Sequence, residues 1–97
     1  MISTQTVRLS FEDPTEFRAP KAFNAEVIVD QSGGLRVPVL TITYSATPPS
    51  AMMRHEVRGY MDSMPIDRGS QMLGSCEDIV GDRWVFMSRE VPGCSWR

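Results

Sequence analysis

Lysine is nearly missing: Lys21 is the only one against nine arginines, and His55 is the only histidine. Twelve acidic residues bring the formal net charge to −2. The chain therefore lacks the basic excess that neutralises phosphates in a nucleic-acid binder. It equally lacks the dense acidic surface that mimicry of a nucleic acid requires. Arginine is enriched at interfaces because its planar fork makes paired hydrogen bonds and stacks on rings. Codon bias in a GC-rich genome is the simpler source of the imbalance.

There are only two cysteines, Cys76 and Cys94. Two cysteines and one histidine fall short of a structural zinc set, which takes four ligands at close paired spacings. The first residues, Met1-Ile2-Ser3-Thr4-Gln5, have neither the basic start nor the apolar run of an export signal. The expectation is a cytoplasmic chain with both thiols reduced and no disulfide. No stretch approaches the ~20 apolar residues of a membrane span. Glycine-rich phosphate loops and calcium-hand patterns are also missing. Neither Glu12-Asp13 nor Glu77-Asp78 has the alternating oxygen ligands of the latter, and both pairs read as solvated surface. No cofactor is implied.

What is present is an ordinary globular balance in 97 residues, 41% apolar and 23% charged. That length makes one domain, spanning 1–97. Its hydrophobic rhythm changes at Thr47-Pro48-Pro49. Before it, apolar residues recur every second position, as in half-buried strands. Val7, Leu9 and Phe11 alternate with polar neighbours until Asp13-Pro14. Residues 13–22 read as a loop in which Phe17 tucks under the sheet. Two further strands, Phe23 to Asp30 and Leu35 to Ser45, form a hairpin across Gln31-Ser32-Gly33-Gly34. Pro38 points to an edge position or a bulge in the second of these.

After the break, Met53, Val57, Tyr60, Met61 and Met64 fall at helical spacing, with Thr47-Pro48 as a start and Pro65 as a stop. Met72, Leu73, Cys76, Ile79 and Val80 mark a second helix over about 70–80, ended by Gly81. The competing reading there is a strand over 75–80 that turns at Gly81-Asp82. Trp84-Val85-Phe86-Met87 is an unbroken apolar run, so Arg83 to Val91 is expected as a central strand with Trp84 or Phe86 in the core. The order β-β-β-α-α-β predicts an α+β fold. It is a two-layer, mainly antiparallel four-stranded sheet with two helices on one face.

The chemistry-bearing residues are sparse. His55 lies off the first helical stripe and is expected to face solvent without a partner that orients it. Cys76 falls on a buried stripe and Cys94 in the tail. A small enzyme using His55 or Cys94 is the weakest reading, and no catalytic residue is assigned. Arg54 and Arg58, four apart, form a small basic patch diluted by Glu56 and Asp62. Six of the seven methionines stand at or after position 52. Methionine fills irregular cores and also builds adaptable contact surfaces. Ile28, Leu40, Ile42 and Tyr44 look like a second apolar sheet face that two helices cannot cover.

These features predict a non-enzymatic protein that works by protein–protein contact, with Tyr44, Met52, Arg54, Arg58 and Trp96 as partner-binding residues. Its genre is that of accessory or inhibitor proteins of phages and mobile elements. The alternative is a structural subunit of a larger, phage-like assembly. The expected partner is another protein, with a homodimer as the commonest way to shield the leftover apolar face.

Overall fold

The computed structural model describes residues 1–46, 48–61 and 70–91. They form seven strands: β1 (Ile2–Arg8), β2 (Thr15–Ala19), β3 (Asn24–Asp30), β4 (Val37–Ser45), β5 (Met53–Met61), β6 (Gln71–Glu77) and β7 (Arg83–Glu90). One turn of 3-10 helix, Pro49–Ala51, precedes β5. The strands pair antiparallel into a three-stranded sheet, order β1-β4-β3, and a four-stranded sheet, order β2-β5-β7-β6. The sheets face each other across one core that takes Leu40 and Ile42 from the first, and Phe17, Val57, Trp84 and Phe86 from the second. This is a β-sandwich, and the expected α+β fold with two helices is overturned.

Over the described residues both expected helices are strands. The first falls on β5, with Thr47, Asp62, Met64 and Pro65 outside the described residues; the second falls on β6, and the expected loop at 13–22 contains β2. The reason is visible in β5. Its inward residues include His55, Val57, Gly59 and Met61, which alternate as a strand requires. A histidine and a glycine in that row hide the alternation, and the outward Tyr60 completes a false helical stripe. Gly59 is required where it stands. A Cβ there would lie 2.7 Å from the Phe11 carbonyl oxygen, with the Trp84 and Phe86 rings at 3.1 and 3.2 Å.

β6 has the same disguise. Its register slips between Met72 and Gly74, a bulge that admits Leu73 to the core. A Cβ on Gly74 would meet Val27 of β3 at 2.9 Å, so β6 comes close to β3 at a residue without a side chain.

The hairpin of β3 and β4 forms as expected, with Gly34 at φ +79° in its turn. β4 is nevertheless the central strand of its sheet and pairs with both neighbours in continuous register, so Pro38 marks neither the expected edge nor the expected bulge. Pro38 is tolerated because its carbonyl accepts the Leu9 amide, while its nitrogen faces the point where β1 has already ended. The last strand is central as expected, between β5 and β6, and Trp84 and Phe86 are both buried. Leu40 and Ile42 are wholly covered by the second sheet, and Ile28 lies on the opposite, outer face of β3. The leftover apolar face expected from the sequence therefore does not exist among the described residues.

Side chains seal the two long sides of the sandwich. On one side the Gln5 Nε2 amide donates to the Arg18 carbonyl at 2.6 Å, joining β1 to β2. On the other, Arg36 Nε donates to the Glu77 carbonyl at 2.8 Å beside the Gly74–Val27 approach.

Candidate functional site

His55 is not solvent-facing. It is 3% exposed on the inner face of β5, opposite Phe17 in the register. Its ring stacks on Phe17 at 5.0 Å and meets Phe23 edge-on at 5.1 Å. Nε2 lies 3.2 Å from the Ala19 carbonyl, which only accepts, so the ring carries its proton there. It behaves as a satisfied core aromatic.

The expected contact residues scatter. Tyr44 points inward from β4 and packs against the core. Met52 and Arg54 line one hollow of about 360 Å³ at the start of β5. Arg58 lies further along the same outward face of β5. The basic pair is neutralised: Arg54 meets Glu16 at 2.6 Å, and Arg58 and Arg89 both reach Glu56, at 3.1 and 3.2 Å. The arginines are about half exposed in all three pairs, and surface pairs of this kind contribute about 0–1 kcal/mol each. Trp96 and Cys94 lie outside the described residues. Cys76 is a free thiol on β6 whose pKa is raised, chiefly by burial, against the opposing charge of Arg36. This partial burial disfavours its thiolate, the nucleophilic form. No group of three or more metal-ligating side chains occurs among the described residues. No helix among them is long and apolar enough to cross a membrane.

A surface the sequence did not suggest lies at one end of the sandwich. The β1–β2 connection, the β3–β4 turn and the β6–β7 turn surround a cleft of about 380 Å³. Phe11 and Trp84 line it, with ring centroids 5.4 Å apart. Its lips carry Leu35, 63% exposed, and Ile79, 65% exposed; Val80 beside them is 80% exposed.

The β6–β7 turn is held by Asp78. One carboxylate oxygen, Oδ1, accepts the backbone amides of Val80, Gly81 and Asp82 at 2.9–3.0 Å. The other, Oδ2, accepts the Trp84 indole N–H at 2.9 Å. The indole bond and then the backbone bonds hold the Asp78 carboxyl below its ordinary value of 3.8. Gly81 takes φ +99°, a conformation other residues adopt only with strain. The turn is thus fixed by backbone and carboxylate, and it presents Ile79 and Val80 to solvent. This arrangement suits docking of an apolar group. Among the described residues, the cleft lining holds no base poised beside a nucleophile. The sequence signal is Asp78 followed three residues later by glycine, a pattern that also fits the end of a helix.

Comparison with protein-family models, with curated proteins and with solved structures finds no match for this chain.

Proposed function

We propose that this chain is a non-enzymatic protein-binding domain, acting in the cytoplasm as accessory or inhibitor proteins of phages and mobile elements do. The observation that carries the reading is the apolar rim of Leu35, Ile79 and Val80 around a cleft lined by Phe11 and Trp84. An exposed apolar cluster on a rigid turn loses little entropy on docking, which favours contact with a partner's apolar side chain. The burial of His55 speaks against its use as a general base.

Affinity capture from the source cells tests this, comparing the wild-type chain with the double variant Ile79→Ser/Val80→Ser. The expected result is a defined protein held by the wild type and lost from the variant, with an unchanged circular-dichroism spectrum. Equal capture by both chains overturns the reading.

The alternative of a structural subunit in a larger assembly draws support from the unpaired outer edge of β1. In either case the reading keeps a pair of identical copies, supported now by the unpaired edge of β1 and not by a leftover apolar face.

A further inference from the structure

A sandwich of two open sheets has four edge strands, and unguarded edges pair with other chains. Three of the four are guarded here. β2 is five residues long, carries Glu16 and Arg18, and has its Arg18 carbonyl taken by Gln5. β6 is bulged and has its Glu77 carbonyl taken by Arg36. β3 carries Glu26 and Asp30 and is approached by β6 at Gly74.

β1 has none of these devices. Its sequence, Ile2-Ser3-Thr4-Gln5-Thr6-Val7-Arg8, contains no proline, no glycine and one charge. Its hydrogen-bonding directions follow from its two ends. The Ala46 amide donates to the Met1 carbonyl, and the Leu9 amide donates to the Pro38 carbonyl. Bonded pairs alternate along an antiparallel ladder, so Ser3, Gln5 and Val7 face β4. The backbone amides and carbonyls of Ile2, Thr4, Thr6 and Arg8 then point out of the sheet edge. None of the eight groups has a partner among the described residues. The Gln5 seal to β2 uses an inward side chain and leaves them untouched.

We propose that this edge pairs with β1 of a second copy, antiparallel about a two-fold axis at Gln5. This deepens the protein-contact reading above by naming one of its surfaces. The strand is complementary to itself in that register. Thr4 falls opposite Thr6 of the second copy, a cross-strand pair that antiparallel sheets favour. Arg8, the only charge, falls opposite Ile2 and not opposite its own copy. All eight outward groups of each strand are satisfied, and two three-stranded sheets become one of six strands.

The experiment is sedimentation equilibrium of the 97-residue chain from about 1 to 500 µM, the range in which modest interfaces associate. The expected mass rises with concentration from 10.9 kDa towards twice that value. Thr4→Pro removes only an outward amide, since Thr4 does not bond to β4. It should weaken association at least ~10-fold while leaving the melting midpoint close to wild type. If Thr4→Pro disturbs the fold, Thr4→Lys/Thr6→Lys makes the same test with the backbone intact, by setting lysines against each other across the axis. Amide exchange at Ile2, Thr4, Thr6 and Arg8 should slow as concentration rises.

A single 10.9 kDa species at every concentration overturns the proposal. So does a variant that folds and associates as the wild type does. Ile79→Ser/Val80→Ser should leave the association unchanged. Failure of the edge is thereby distinguished from failure of the cleft.

Discussion

Gly59→Ala adds one methyl group to the middle of β5, and the structure fixes what that methyl meets. The new Cβ falls 2.7 Å from the Phe11 carbonyl oxygen, 3.1 Å from Trp84 Cε3 and 3.2 Å from Phe86 Cε1. The nearest atom is backbone, and the other two belong to buried rings that cannot rotate away from an occupied core. Something must shift. Two effects compete. Alanine restricts the unfolded chain more than glycine, which stabilises by about 0.4–1 kcal/mol where the site accepts it. Overpacking a filled core costs typically 1–3 kcal/mol. The backbone contact decides in favour of the cost, with a net loss of about 2 kcal/mol.

For a domain of this size that is a fall of roughly 8–16 °C in the melting midpoint. Gly33→Ala is the control. A Cβ at that position has no atom within 4 Å, and the backbone there has no positive φ. It should melt at the wild-type temperature or slightly above. Thermal melts by circular dichroism measure both. A Gly59→Ala protein as stable as Gly33→Ala would refute the packing of the Phe11 segment over β5, and with it the closure of the cleft end.

His55→Ala should cost about 2–4 kcal/mol in urea unfolding, because it empties the space between Phe17 and Phe23. His55→Phe should recover much of that, losing only the Ala19 contact; equal loss in both would contradict the stacked placement. Asp78→Asn should lower the melting midpoint at pH 7 and flatten its acid dependence. The folded-state carboxyl titrates below the ordinary 3.8, so its stabilisation is complete above that value and is lost as pH falls through 3.8 and then through the folded pKa. The gap between wild type and variant should therefore close in strong acid, and a constant gap would show that the carboxylate charge plays no part.

The hairpin of β3 and β4 was legible because its strands obey a simple rule. In β3 and β4 the inward residues are apolar, and period two is plain. β7 was legible for a different reason, its unbroken apolar run Trp84-Val85-Phe86-Met87, of which Trp84 and Phe86 are buried. β5 and β6 were not. Their inward rows include His55, Gly59 and Gly74, and each polar or empty position is explained only by a distant neighbour: Phe17 and Phe23 around the histidine, Phe11 over one glycine, Val27 under the other. Local pattern carries no trace of such contacts. β2 was hidden by its length and by the prolines on either side. Of the contact residues expected, Met52 and Arg54 share a hollow, and Tyr44 proved to face the core. The cleft escaped because three separate connections build it.

Folding does not account for the apolar lips of that cleft. The Asp78 carboxylate gathers its three amides and the indole N–H whatever side chains stand at 79 and 80. Gly34 and Gly81 supply the positive φ that the two turns need. Polar residues would serve Leu35, Ile79 and Val80 equally well in the isolated protein. With most of their surface in water, these side chains contribute little to the folded state. In a complex the same surface leaves water, and each can then contribute up to about 1.5–3 kcal/mol. A single exposed apolar residue is ordinary, but three at one cleft make a patch. Phe86 shows the opposite balance: it is wholly buried in the folded chain and has no surface left to offer a partner. Residues whose gain appears only on association are what the proposed contact site needs, and in this sandwich they gather at the end built by the β1–β2, β3–β4 and β6–β7 connections, where Arg36 also makes its bond to Glu77.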